Sequence, residues 1–190
     1  MASRYDDELW ELVPEEPGPP PRVLTEFVRG LGHAERALDL GCGDGRLSAQ
    51  LDTASLTLAD VSAVALERAR RRLPGAQVVE LEPDAPLPLA DSAFDLVLCA
   101  ETIEHVRDVQ LLLSEVRRVL RPGGQLALTT PAAAPLIRPP DPLSPHLRAF
   151  TRRSLRRLLG ELGFESQSLR RRSGTLLALA TRGHATGGQV

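Results

Sequence analysis

The chain has 190 residues, which is enough for one domain with a full hydrophobic core but too short for two. Apolar residues make up 42% and charged residues 25%, the usual proportions of a globular protein, so wholesale disorder is not expected. The formal net charge of −2 argues against nucleic-acid binding by bulk electrostatics, without excluding a nucleic-acid partner.

Membrane insertion and disulfide chemistry are also not expected. No run reaches the roughly 18 apolar residues that a membrane-spanning helix needs, and the acidic N-terminal segment lacks the pattern of a secretory signal. Cys42 and Cys99 are too few for a disulfide framework, and both lie in apolar, strand-like surroundings. These features predict a cytoplasmic protein with reduced, buried thiols and no membrane partner.

Residues 1–20 are acidic and contain several prolines, and we expect them to form a segment on the surface. Pro21 suits the first position of a helix, and apolar residues follow it at helical spacing as far as Gly32. We therefore expect the main domain to occupy residues 21–182, with a flexible tail over 183–190.

The rest of the chain alternates between short apolar runs and amphipathic segments. The apolar runs predict strands over residues 37–40, 56–59, 77–81, 94–100, 125–130, 165–171 and 176–181. The amphipathic segments predict helices from the glycine loop to about residue 51, after Ser62, over residues 106–120 and after Thr151. The longest predicted loop, 131–145, contains six prolines. The alternation predicts parallel βαβ units in an α/β, doubly wound sheet, with ligands at the carboxyl ends of its strands.

The pattern centres on residues 37–46, ALDLGCGDGR, in which an apolar run ends in three glycines within five residues. Glycines at this spacing let the backbone turn sharply and let a ligand approach bare main chain. Asp60 follows the next predicted strand, where its carboxylate can accept hydrogen bonds from the two hydroxyls of a ribose. The spacing differs from the G-x-G-x-x-G of dinucleotide-binding proteins, and the chain has no lysine for a P-loop. We therefore expect a ligand with a ribose but without a pyrophosphate.

Several stretches together resemble the ordered motifs of the Rossmann-like (class I) S-adenosylmethionine-dependent methyltransferases. They follow one another from residue 37 to residue 131 as ALDLGCGDG, LADVSAVALERARRRL, LPLADSAFDLVLCAETIEHV and LLSEVRRVLRPGGQLALTTP. The resemblance continues more loosely through HLRAFTRRSLRRLLGELGF. It implies S-adenosylmethionine as the cofactor of a small, single-domain enzyme. It also implies a mostly parallel seven-stranded sheet with an antiparallel C-terminal strand and helices on both faces.

The same resemblance implies contacts to the methionine and ribose portions of the cofactor. The implied residues of the first loop are Asp39, Gly41, Cys42, Gly43 and Gly45. Cys99 and Ala100, at the end of the fourth predicted strand, would flank the methionine portion, and Glu101 would face the methyl acceptor.

The resemblance further places the ribose and the adenine. Asp60, with Val61 beside it, would hold the ribose hydroxyls. Asp84 and Ala85 would contact the adenine amino group. Pro83 is the alternative position, because one residue fewer than is common in the family separates Asp84 from the following Leu-Pro pair.

Titratable side chains follow the fourth predicted strand. Glu101, Glu104 and His105 have the i, i+3, i+4 spacing that places three side chains on one face of a helical turn, and His146 lies beyond the long loop. We expect Glu101, His105 and His146 to be catalytic, with an imidazole as the general base. As an alternative, Glu101, Glu104, His105 and His146 could hold a divalent cation such as Mg²⁺, which would lower the pKa of a bound hydroxyl. A third interpretation makes Glu104 and His105 purely structural.

We predict methyl transfer from S-adenosylmethionine to a small-molecule acceptor, with a hydroxyl as the target, by a monomer or homodimer. The E-x-x-E-H cluster is similar to the metal site of methyltransferases that modify the 3′-terminal ribose of small RNAs, so a metal-dependent RNA 2′-O-methyltransferase is one alternative. A cofactor-binding partner subunit without transfer activity is another. The arginines around residues 152–157 could contact RNA phosphates, although the solvated face of an amphipathic helix explains them more simply.

Overall fold

The computed structural model describes residues 2–133 and 146–183. Most of the predicted proline loop, and the predicted tail beyond Gly183, lie outside these residues. Within the described residues the helices are α1 (Ala2–Leu12), α2 (Arg22–Arg29), α3 (Ala63–Arg72), α4 (Val109–Val119) and α5 (Arg152–Glu161). The strands are β1 (His33–Leu40), β2 (Asp52–Asp60), β3 (Gln77–Glu80), β4 (Phe94–Ala100), β5 (Leu120–Pro131), β6 (Phe164–Arg172) and β7 (Thr175–Arg182).

The strands form one seven-stranded sheet in the order β3-β2-β1-β4-β5-β7-β6. Strands β1 to β5 pair in parallel, whereas β7 is antiparallel to both β5 and β6. The predicted α/β, mostly parallel sheet with an antiparallel C-terminal strand is therefore confirmed. Because β2 lies on one side of β1 and β4 on the other, the strand order switches at β1, which places the expected ligand crevice at the carboxyl ends of β1 and β4.

Helices cover both faces of this sheet. Along β4, Val97 and Cys99 pack into a core shared with α4 and α5, whereas Leu96 and Leu98 pack into a core shared with α2. A third apolar cluster joins α3 to β2. The continuous apolar run of β4 is therefore buried on both faces, as its composition predicts.

The predicted helix starts at Ser62 and Thr151 are confirmed by their hydrogen bonds. Ser62 Oγ accepts a hydrogen bond from Ala65 N at 3.1 Å, and Thr151 forms a capping box with Ser154. Helix α4 begins at Val109 rather than at residue 106, because Asp108 is its N-cap and accepts a hydrogen bond from Leu111 N at 2.9 Å.

Several element predictions are wrong, among them the starts of β1 and β2, which begin at His33 and Asp52 rather than at residues 37 and 56. The predicted helix after the glycine loop is only a short 3₁₀ turn, Ser48–Gln50, because β2 already begins at Asp52 and leaves no room for a longer helix. Strand β5 begins at Leu120, well before residue 125, because the Arg-Pro-Gly-Gly stretch continues beside β4 through a register shift instead of ending the element.

The N-terminal segment contains a helix that the sequence analysis does not predict. Residues Ala2–Leu12 form α1, which packs against α3, and Pro21 is the N-cap of α2 rather than its first residue. Across the described residues, no helix combines the length and the apolar character that crossing a membrane requires.

Candidate active site

The glycine loop between β1 and the 3₁₀ turn leaves bare backbone at the carboxyl edge of the sheet. Gly41, Gly43 and Gly45 all have positive φ angles, of 76°, 53° and 75°, which residues other than glycine rarely adopt. A Cβ atom at Gly41 would lie 2.4 Å from Thr102 Oγ1. The single hydroxyl proton of Thr102 is shared between Leu40 O, at 3.2 Å from Oγ1, and the carbonyl oxygen of residue 100, at 3.0 Å, which joins the ends of β1 and β4.

Asp60 lies at the end of β2 and is only 8% exposed. Its carboxylate accepts hydrogen bonds from Gly43 N at 2.8 Å and from Ser62 N at 3.0 Å. Burial raises the pKa of Asp60, although these backbone N–H groups oppose the rise. The carboxylate is therefore held rigidly against the glycine loop, as expected for a group that binds ribose hydroxyls.

Two further aspartates stabilise the loop from within. Asp39 is buried and accepts a hydrogen bond of 2.5 Å from Ser48 Oγ, and burial raises its pKa to about 7. Asp44, also buried, pairs with Arg46 and with Arg72 at the end of α3. The sequence analysis missed this role of Asp44, for which the only signal was an acid within the glycine loop.

Both cysteines are free and buried, in agreement with the expected reduced thiols. Burial raises the pKa of the Cys42 and Cys99 thiols far above the usual range, so both are protonated and unreactive at neutral pH. Cys99 packs in the core beneath the end of β4, and its neighbour Ala100 is half-buried.

Helix α1 lies against the glycine loop. Asp7 Oδ1 accepts hydrogen bonds from Ser62 Oγ at 2.6 Å and from Val64 N at 3.2 Å, which fixes α1 to the start of α3. The indole of Trp10 lies so close to the loop that a Cβ at Gly43 would be 2.6 Å from its Cζ2 atom. Helix α3 also contributes Arg68, whose guanidinium is 5.9 Å from the centre of the indole ring.

Helix α1 also brings Asp6 to the site, a residue that was not predicted from the sequence. Burial raises the pKa of Asp6, the nearby Asp60 carboxylate raises it further, and His105 opposes the rise. Asp6 is therefore within electrostatic range of both the Asp60 carboxylate and His105.

Glu101 immediately follows β4 and has a strained backbone, with a φ of 51°. Its amide donates a hydrogen bond to Thr129 O at 2.9 Å, and its Oε1 accepts one from Thr129 Oγ1 at 2.8 Å. Burial raises the pKa of Glu101. The carboxylate is thus tied to the end of β5.

Glu104, His105 and His146 come together beside this residue. One potential ligand atom of each residue lies within 4.8 Å of those of the other two. The centroids of the two imidazole rings are 4.8 Å from each other. Glu104 is 1% exposed, and its Oε2 accepts a hydrogen bond from Thr130 Oγ1 at 3.0 Å. Among the described residues, its Oε1 has no hydrogen-bond partner, and it lies 3.9 Å from His105 Nε2. Burial raises the pKa of Glu104. Residues 102–105 form a turn rather than helix, and Glu101 is not among these three mutually close groups.

The residues expected near the ribose and adenine are spread along the edge of the sheet. Val61 is half-buried and packs against the main core next to Asp60. Asp84 is exposed with a φ of 55°, and Ala85 is half-buried, in the loop that follows β3. Their contact with adenine stays a prediction.

The donor set fits S-adenosylmethionine. Gly41 and Gly43 leave no room for a Cβ atom because the side chains of Thr102 and Trp10 pack against them, and the buried Asp60 carboxylate lies beside this loop. A fixed carboxylate at this place in a doubly wound sheet is the group that binds ribose hydroxyls in nucleotide-binding folds.

Comparisons with known proteins agree with this geometry. Residues 38–128 match the family model described as a methyltransferase domain. The chain is 36% identical over 116 residues to 27-O-demethylrifamycin SV methyltransferase of Amycolatopsis mediterranei, an alignment that covers 55% of this chain and 43% of the relative. It is 35% identical over 176 residues to malonyl-[acyl-carrier protein] O-methyltransferase of Methylococcus capsulatus, covering 82% and 63%.

The fold has close structural counterparts as well. A SAM-dependent methyltransferase from Aquifex aeolicus superposes with a TM-score of 0.67 at 21% identity, covering 95% of this chain and 97% of the other. The first curated relatives are longer, and the alignments span between 30% and 63% of their length. Residues 38–128 are therefore a methyltransferase domain of the Rossmann-like, class I, S-adenosylmethionine-dependent type.

Proposed function

We propose that this chain transfers a methyl group from S-adenosylmethionine to a hydroxyl group of a small-molecule acceptor. The observation that carries the proposal is the group formed by Glu104, His105 and His146. Thr102, which contacts Gly41 of the glycine loop, lies only two residues before Glu104. The imidazoles are therefore next to the candidate cofactor loop, where an acceptor hydroxyl would need a base.

The curated relatives support a small-molecule acceptor. The Amycolatopsis protein is named for methylation at an oxygen of a rifamycin, and the Methylococcus protein for O-methylation of a malonyl group on a carrier protein. Another relative, 36% identical over 145 residues, is named as a demethylmenaquinone methyltransferase of Clavibacter sepedonicus. These names favour methylation of small or carrier-linked molecules, mostly at oxygen.

The residues of the site would bind, orient and deprotonate. The glycine loop and Asp60 would hold the cofactor, and the half-buried Glu101 would help to exclude water from the acceptor side. When bound, S-adenosylmethionine supplies a methyl group on a positively charged sulfur. The rest of the cofactor is a good leaving group, because its sulfur becomes a neutral thioether when the methyl group is transferred. His105 or His146 would accept the acceptor proton on an imidazole nitrogen as the new O–C bond forms.

The same three residues support a second form of the proposal, in which they hold a divalent cation. The favouring observation is Glu104 Oε1, a buried carboxylate oxygen that lies close to two imidazoles and has no hydrogen-bond partner within residues 2–133 and 146–183. One carboxylate and two imidazoles suit Mn²⁺ or Zn²⁺ better than the expected Mg²⁺, which prefers oxygen ligands. Such a cation would lower the pKa of a coordinated acceptor hydroxyl.

Calorimetry with S-adenosylhomocysteine tests the proposal at its base, and a complete lack of binding would contradict it. Turnover of S-adenosylmethionine with a panel of hydroxylated metabolites then identifies an acceptor. With that acceptor, His105→Gln or His146→Gln should lower kcat by about 10²–10⁴-fold with little change in cofactor affinity. His33→Gln is the matched control, because His33 is an exposed histidine at the start of β1.

The cation form has its own readout. Calorimetric titration with Mn²⁺ or Zn²⁺ alone should show a single site in the native chain and none in Glu104→Gln. The amide oxygen of that variant can still accept the hydrogen bond from Thr130, so S-adenosylhomocysteine binding should remain. If neither metal binds and EDTA leaves turnover unchanged, the cation form fails and the histidine variants decide whether an imidazole acts as the base.

A further inference from the structure

A cavity of about 840 Å³ opens beside the candidate active site, between the end of β5, the start of α5 and the β6–β7 hairpin. This volume is within the range of about 300–1,000 Å³ that is typical of small-molecule sites. None of the residues discussed above as cofactor, base or metal ligands lines this cavity.

The cavity combines an apolar base with a strongly basic rim. Ala132, Ala133, Phe150 and Leu176 form the apolar part, of which Phe150 and Leu176 are buried. Charged side chains surround them, namely Arg152, Arg153, Arg156, Arg157 and Arg171. Apolar walls with guanidinium groups at the opening match a ligand that has an apolar body and an anionic head.

The arginines come from two separate elements, so one amphipathic helix does not explain them all. Arg171 lies on β6 opposite Leu176 of β7, whereas the other four lie on α5. Arg157 pairs with Glu161 at 2.7 Å, but in the described ranges 2–133 and 146–183 no carboxylate pairs with Arg152, Arg153, Arg156 or Arg171. This concentration of positive charge stands out in a chain whose formal net charge is −2.

A short stretch of backbone joins the cavity to the histidines. His146 belongs to the candidate catalytic group, Leu147 N donates a hydrogen bond to Glu104 O at 2.8 Å, and Phe150 lines the cavity. Phe150 O also accepts a hydrogen bond from Ala133 N at 2.7 Å, which fixes the cavity wall to the end of β5. Four residues span at most about 14 Å, so one small molecule can reach both places.

We propose that this cavity binds the anionic head of the methyl acceptor, which is an amphiphile with an apolar body and a carboxylate or phosphate group. The arginines hold the head, the apolar wall packs against the body, and the hydroxyl to be methylated lies at His105 and His146. Binding of such an amphiphile does not depend on the proposed function, whereas its identification as the acceptor does.

Calorimetry with three probes that share one apolar body tests this proposal. Decyl phosphate and decanoate, below the concentrations at which they form micelles, should bind, and decanol should bind at least about tenfold more weakly because it lacks the charge. Comparing the two anions shows whether phosphate or carboxylate is preferred. Added NaCl should weaken binding of both anions.

The double variant Arg152→Gln/Arg156→Gln should weaken binding of both anions by at least about tenfold. Its matched control is Arg70→Gln/Arg71→Gln, which removes two exposed arginines of α3 and should change the affinity less than about twofold. Equal binding of decanol, equal losses in both double variants, or no binding of either anion would overturn the proposal.

Two further measurements separate it from its alternatives. S-adenosylhomocysteine should bind the Arg152→Gln/Arg156→Gln variant as tightly as it binds the native chain, because neither arginine belongs to the candidate cofactor site. If S-adenosylhomocysteine fails to bind the native chain as well, that result contradicts the proposed function and leaves the cavity proposal standing. Single-stranded RNA that binds the native chain but not this variant, with no binding of the amphiphiles, would replace the small acceptor by an RNA.

Discussion

Asp39 is a buried carboxyl at the end of β1 whose ionisation is linked to folding. It accepts a hydrogen bond from Ser48 Oγ, and burial raises its pKa to about 7 from an ordinary value of 3.8. Between these two pH values, the folded chain keeps a proton that the unfolded chain has lost. The stability that this group contributes is therefore complete below the unfolded pKa and is lost as the pH rises through about 7.

We expect Asp39→Asn to separate this contribution from those of the other carboxyls. The free energy of unfolding of the native chain should fall by about 2–4 kcal/mol relative to the variant between about pH 4 and about pH 8. An asparagine oxygen can still accept the hydrogen bond from Ser48. Urea unfolding across this pH range measures the difference, and a difference that does not change with pH would show that Asp39 is ionised throughout.

The glycine loop and Asp60 were predictable because their chemistry is local. Three glycines in five residues and an acid at the end of the next strand define the loop and its partner within a span of about twenty residues. Trp10 and Asp6 were not predictable, because the packing of Trp10 on Gly43 and the electrostatic interaction of Asp6 with Asp60 and His105 join positions far apart in the chain.

At the level of secondary structure elements, α1 is the least expected part of the site. Its contacts to α3 depend on a few polar groups, chiefly the two hydrogen bonds accepted by Asp7. Trp10 is the only tryptophan of the chain, so its fluorescence reports on the docking of α1 alone.

We expect Asp7→Ala to weaken the docking of α1 by about 0.5–2 kcal/mol, the usual cost of losing an N-terminal capping group. The emission of Trp10 should shift to longer wavelength, and the affinity for S-adenosylhomocysteine should fall with it. Glu11→Ala changes an exposed acid of the same helix and should leave both signals unchanged. If the emission shifts while the affinity stays the same, α1 does not contribute to the cofactor site.

Strand β4 and the elements around it show which boundaries a sequence can define. The run Phe94–Ala100 was predicted with its observed bounds, because a parallel strand buried on both faces is continuously apolar. The 3₁₀ turn Ser48–Gln50 was predicted as a longer helix, because its Ala and Gln residues suit either form and the early start of β2 decides between them. Sequence pattern thus identified the strands and the helices α2 to α5, while pairing along β2 and β5 set the ends of those strands.

At the level of the whole molecule, the sheet collects distant segments at one edge. Trp10, Gly43, Asp60 and Thr102 belong to α1, the glycine loop, β2 and the turn after β4, and they meet only when these elements are assembled. A ligand bound there contacts several parts of the fold together, so its binding free energy should stabilise the molecule as a unit.

The aspartates at the two ends of β2 allow a test of whether the ligand binds at the carboxyl edge of the sheet and stabilises the molecule from there. Asp60 is buried at the carboxyl end beside the glycine loop, whereas Asp52 is exposed at the start of the strand and forms a hydrogen bond with His33.

S-adenosylhomocysteine at about 100 times its dissociation constant should stabilise the native chain by about 2.7 kcal/mol. Asp60→Asn removes the charge that would bind the ribose hydroxyls and should weaken affinity at least about tenfold, which reduces this stabilisation by at least about 1.3 kcal/mol at the same ligand concentration. Asp52→Asn should keep the full effect. Thermal unfolding with and without ligand measures both variants, and equal stabilisation in the two would mean that the ligand is not held at the carboxyl end of β2.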